Sequence, residues 1–249
     1  MTDYQGIRIR YVDLRSDLER MRDLASPFLS PECEGVIDSC VSQLDSIRNG
    51  KCDKTHLLEI LEGWPIKTIN SAGEYRNNGK DGGRAVFGRV WFRWGLMNVN
   101  KGVKRQEYFH LSGEVTTSID IIDCENEERV ARWQFEAGDG GSPGCHLHAA
   151  MNQYGGDGLF PEWLKVPRLP SILLSPMDGL EFLLGELFQR RWVEEVSADS
   201  EVRNSWANSQ SHRMERILRW SWERVRNPDA TPWIDLKKAK PAFDLLTES

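Results

Sequence analysis

The chain reads as an α+β protein, an antiparallel β-meander flanked by N-terminal and C-terminal helices. Three observations predict it. Apolar residues recur at helical spacing through residues 1–66, alternate at strand spacing through 85–151, and return to helical spacing across 175–249. A chain of 249 residues sits at the upper end of what one hydrophobic core serves, so residues 1–249 are read as a single domain.

The elements follow in order. Leu14, Leu18, Met21 and Ala25 share one helical face, as do Val36, Ile37, Cys40, Val41, Leu44 and Ile47. Ser30-Pro31-Glu32 offers an N-cap with proline at the first helical position. A third, shorter helix is predicted from Thr55 to Leu61, stopping near Gly63-Trp64-Pro65. Residues 71–84 are rich in Gly and Asn and lack periodicity, which reads as a surface loop.

The period then changes to two. Val86, Val90, Phe92, Trp94 and Leu96 fall on one strand face, with Phe87, Arg89, Trp91 and Arg93 on the other. A second strand, Tyr108 to Cys124, is rich in Val, Thr and Ile and joins a third, Arg129 to Ala137, through an acidic turn. The glycine-rich turn 138–144 leads to a fourth short strand, His146 to Met151.

Prolines make Val166 to Pro170 extended. Ser175-Pro176-Met177-Asp178 then opens a capped helix that carries Leu180, Leu183, Leu184, Leu187 and Phe188 towards Trp192. A polar stretch from Ser197 to Ser209, a connection or a weak helix, precedes a last helix, Ser211 to Arg226, whose stripe is Met214, Ile217, Leu218, Ser221, Trp222 and Val225.

Composition narrows the function classes. No apolar run approaches the ~18 residues of a membrane span, and the polar N-terminus lacks a secretory pattern. Five scattered cysteines without a Cys-x-x-Cys pair argue against a disulfide framework or a structural zinc site, and for reduced thiols in a cytoplasm. The net charge of −6 opposes nucleic acid as a whole, so such binding needs a local basic patch.

His146 and His148 are the strongest chemical signal. Alternation puts both imidazoles on one strand face about 7 Å apart, close enough to share a divalent metal or a phosphate, with Glu136, Asp139 or His110 as the third metal ligand. The same groups serve general acid–base catalysis if Asp139 or Glu136 orients an imidazole. The plainer alternative is a set of hydrogen-bonded polar residues on a sheet face. Cys145 is not a nucleophile for His146, because adjacent strand residues point apart. Gly73 to Lys80 has the wrong spacing for a phosphate loop, and Asp81 replaces the metal-holding hydroxyl.

Charge marks two candidate partner or nucleic-acid surfaces. Across residues 203–226 six arginines, including Arg213, Arg216 and Arg219, outweigh two glutamates, with Trp220 and Trp222 interleaved. Arg89, Trp91 and Arg93 form the second on their strand face. A solvated face with ion pairs, i,i+4 on the helix, is the alternative for both.

His148, the Arg168-Leu169-Pro170 element, and Ser175-Pro176 before an apolar helix ending Leu187-Phe188 resemble an uncharacterised bacterial family encoded beside helicases in restriction and phage-defence loci. The resemblance covers residues 130–192 and implies an accessory subunit of a multi-protein system, with no catalytic residues attached. The expected function is therefore partner or nucleic-acid binding in such a system. A metal-assisted hydrolase at His146 and His148, or a small nucleotide sensor around Trp91, Arg93 and His146, stands beside it.

Overall fold

The computed structural model describes residues 6–33, 35–51, 54–71, 85–98, 107–137, 144–151, 169–172, 175–198 and 200–246. Two long strands organise it, β4 (Val86–Asn98) and β5 (Tyr108–Asp123), paired antiparallel along nearly their whole length. The sheet runs outward from β2 (Thr55–Ile60) through β4 and β5 to β6 (Arg129–Ala137), β7 (His146–Met151) and the short β8 (Leu169–Pro170). β1 (Ile7–Arg10) lies against the start of β5, β9 (Phe243–Leu246) runs parallel to β1, and β3 (Ile66–Lys67) borders β4.

The period-two pattern builds one apolar and one polar sheet face. Val90, Phe92, Trp94 and Ile119 are fully buried beneath the helices, and the Trp94 indole donates to Thr117 Oγ1 at 3.1 Å. Glycine permits two close approaches. A Cβ on Gly88 would stand 2.4 Å from Leu183, and one on Gly95 would stand 1.7 Å from the Ser112 carbonyl oxygen, at the bulge between β4 and β5.

Helices α1 (Tyr11–Ala25), α2 (Val36–Arg48), α3 (Pro176–Ser197) and α4 (Glu201–Val225) form the other layer, followed by the short α5 (Pro232–Lys238). The predicted cap of α3 is present. Ser175 Oγ accepts from the Asp178 N–H at 3.1 Å, and the Asp178 carboxylate accepts from the Ser175 N–H at 3.2 Å. Leu180, Leu183, Leu184, Leu187 and Phe188 sit in the core as expected. No helix among the described residues is long and apolar enough to cross a membrane.

Three local expectations are corrected and one alternative is settled. The stretch from Thr55 is strand β2, because Leu58 and Ile60 are buried while Leu57 is 41% exposed, an alternation that completes the sheet edge beside β4. Pro31–Cys33 makes only one 3-10 turn, and α2 starts after Gly35, whose φ of 82° suits glycine. Of the two readings of the polar stretch 197–209, the helical one holds from residue 201 on, since α4 begins at Glu201 behind its N-cap Ser200, whose Oγ accepts from the Arg203 N–H. Of the predicted α4 stripe, Ile217 is buried, but Leu218, Trp222 and Val225 are exposed. The loop read at 71–84 lies, apart from buried Ser71, outside the described residues.

Candidate metal centre

The functional cluster grows from the β6–β7 pairing. Glu136 stands directly opposite His146, and Gln134 opposite His148, so alternation brings Glu136, His146 and His148 to the polar face together. One ligand atom from each lies within 4.8 Å of the others. Glu136 Oε2 is 3.2 Å from His146 Nε2 and 3.5 Å from His148 Nε2. The imidazoles meet edge to face, with centroids 5.1 Å apart.

The hydrogen-bond chemistry of His146 is unbalanced. Its Nδ1 lies 3.0 Å from the Gly144 carbonyl oxygen, and its Nε2 faces the Glu136 carboxylate. Both neighbours are acceptors, whereas a neutral imidazole has one proton. A proton on Nδ1 leaves the Nε2 lone pair aimed at a carboxylate, so a second positive centre completes the arrangement, a proton or a metal ion. Metal-bound histidines characteristically spend their other N–H on a backbone carbonyl in this way.

Supporting groups hold the set in place. The Gln134 side-chain amide donates to Glu136 Oε1, leaving Oε2 for the histidines. The bond from His146 holds the Glu136 carboxyl below its ordinary range, against the upward push of burial. His146 is 3% exposed, but the side chains of His148 and Glu136 keep about a quarter of their surface, so the cluster opens on one side.

The remaining candidates disperse. Asp139 lies outside the described residues. His110 is on β5 opposite Arg8 and Met97, away from the cluster. Arg89, Trp91 and Arg93 share the cluster's sheet face, as alternation predicts, but Arg93 is held by Glu59 at 2.9 Å and Glu114 at 3.0 Å, and Arg132 lies over the Trp91 ring at 5.3 Å. Arg132 in turn grips Asp120 and Glu62. These carboxylates offset much of the basic character the strand promised.

Arg213 requires the largest correction. It is completely buried and bonds Asp17 at 2.6 Å and Asp178 at 2.7 and 2.5 Å, so it clamps α4 to α1 and α3 and reaches no partner. Arg219 pairs with Glu215 one turn away at 2.5 Å, and half-buried Trp220 packs on Phe243. Because α4 packs among the helices, the two basic stretches lie on different layers and do not combine.

Comparison adds no relative. No protein-family model, curated protein or solved structure matches the chain. Gln134 and the Gly144 carbonyl escaped the sequence reading, although pairing the predicted strands on either side of residues 138–144 would have placed Gln134 beside His148.

Proposed function

We propose that the chain is a divalent-metal-dependent hydrolase centred on Glu136, His146 and His148. The observation that carries this reading is the pair of acceptors around His146, which a metal at Nε2 reconciles without a buried imidazolium. Two imidazoles and one carboxylate are the ligand set of a catalytic zinc site that keeps a position for water. A zinc ion held there would supply water acidified to a pKa of about 7 as the nucleophile. Gln134 orients the carboxylate, and Gly144 fixes the tautomer of His146.

The test is hydrolysis of activated ester and phosphodiester probes by Zn²⁺-loaded protein. Replacing His148 with Ala should lower the rate at least about 100-fold, within the range that metal-site damage produces, while the fold is retained. Equal rates in both proteins would overturn the reading.

A second reading follows from a different surface. Leu218, Trp222 and Val225 on α4, with Trp233 and Ile234 on α5, are exposed large hydrophobics, and Arg216 and Arg219 lie on the same segment. Such a face fits an accessory subunit that docks onto another protein or nucleic acid in a bacterial defence-type system, as the family resemblance implies. The free state of Cys33, Cys40, Cys124 and Cys145 fits a cytoplasmic setting. Replacing Arg216 and Arg219 with Glu should weaken a partner complex isolated from the native host. Unchanged affinity would count against docking there.

A further inference from the structure

The turn between β2 and β3 encloses, with the start of β3 and β4, a cavity of about 300 Å³ lined by Glu32, Cys33, Glu62, Trp64, Lys67 and Arg89. Lys67 and Arg89 stand directly opposite one another in the β3–β4 register. Two like charges in that position repel. Both also lie against one ring, with the Lys67 Nζ 4.6 Å and the Arg89 guanidinium 5.1 Å from the Phe87 centroid, which fixes two cations on one wall.

The nearby carboxylates are unevenly committed. Glu32 pairs with Lys67 at 2.6 Å, while Glu62 and Asp120 are both taken by Arg132. Among the described residues Arg89 has no ion pair. The Glu32 side chain is 61% exposed, so its bond to Lys67 is of the solvent-screened kind that an incoming anion displaces readily.

Cys33, Trp64 and Pro65 supply the apolar part of the lining, beside Glu32 and Glu62. Trp64 is 70% exposed at the mouth, more than any other large hydrophobic residue described. Cys33 accepts from the Lys67 N–H at 3.2 Å and approaches the Pro65 carbonyl oxygen at 3.5 Å, and burial pushes its thiol above the ordinary range. It is scaffold rather than nucleophile.

We infer that this cavity binds a small aromatic anion of the nucleoside-monophosphate type, its ring on Trp64 and its phosphate between Lys67 and Arg89. Guanidinium and ammonium groups are the two side-chain donors suited to phosphate, and an exposed indole accepts any flat base. The volume lies at the lower end for small-ligand pockets, which matches a mononucleotide rather than a dinucleotide. Arg89 is three strands from β7, or about 14 Å at ordinary strand spacing, so the cavity is distinct from the metal centre.

Isothermal titration of the full chain with AMP and with inorganic phosphate tests the assignment. AMP should bind with a Kd below about 1 mM. Replacing Arg89 with Gln or Lys67 with Ala should weaken it at least about tenfold, and Trp64→Ser should weaken AMP similarly while leaving phosphate unchanged. Circular dichroism confirms that each variant is folded, and His148→Ala, which removes a metal ligand, should leave AMP binding intact. The inference is overturned if AMP does not bind, if binding ignores Arg89→Gln and Lys67→Ala, or if His148→Ala abolishes it. Phosphate binding as tight as AMP, with Trp64→Ser silent, overturns the aromatic part.

Discussion

Arg213 with Asp17 and Asp178, and Glu136 with His146 and His148, are both three-residue ionic clusters in one protein, yet their hydrogen-bond chemistry is opposite. In the first, the guanidinium faces two carboxylates, and those oxygens also accept from Ser209 at 2.9 Å and the Ser175 hydroxyl at 2.8 Å. Donors and acceptors match, and the indole of Trp206 lies 5.4 Å beneath the guanidinium. In the second, two acceptors converge on an imidazole that has one proton when neutral. A matched and sealed cluster holds helices together, whereas a mismatched and partly open one is suited to receive a cation.

Breaking the sealed cluster should have the largest effect. Arg213→Leu strands two buried carboxylates and should cost about 3–5 kcal/mol in urea unfolding, with metal stoichiometry unchanged in whatever fraction stays folded. A loss under about 1 kcal/mol would mean that α4 is not clamped through this residue.

The mismatched cluster should respond in the reverse way. Glu136→Gln keeps the shape but removes the carboxylate, so the metal-free protein should keep its stability within about 1 kcal/mol while zinc affinity falls at least about 100-fold. Competition against a fluorescent chelator reads the affinity, and a large stability loss without an affinity change would make Glu136 a structural residue.

Titration separates the clusters again. Burial pushes Asp17 up to about 6, with one guanidinium shared between two carboxylates, so the folded state binds this proton more tightly than the unfolded chain does. Its contribution to stability is therefore full below about pH 4 and declines as pH rises to about 6. Glu136, held low, contributes in the opposite sense, present above its ordinary value and lost as pH falls through the lowered one. Chemical unfolding between these pH values should show a decline in the native protein that Asp17→Asn flattens. An unchanged slope would remove Asp17 as its source.

The smallest effect should come from the exposed face. Trp222→Ser should change stability by no more than about 0.5 kcal/mol, since 60% of that residue is already exposed. A larger loss would show that Trp222 packs in the native state.

The same contrast explains what was legible in the sequence. Strand alternation alone put His146 and His148 on one face, and pairing across a glycine-rich turn brought Glu136 to them, because sheet register is a local rule. Arg213 was misread for the opposite reason. On a helix rich in arginines a buried cation looks like a solvated one, and its partners Asp17 and Asp178 are 196 and 35 residues away. The stretch from Thr55 failed because a short apolar run fits either period, and the four-residue strands β1 and β9 depend on each other across the whole chain.

Zinc binding by chelator-free protein tests the central claim most directly. After loading and exhaustive dialysis into metal-free buffer, inductively coupled plasma analysis should find about one zinc per chain in the native protein and almost none in His148→Ala. Native protein that retains no more metal than the variant would contradict the account.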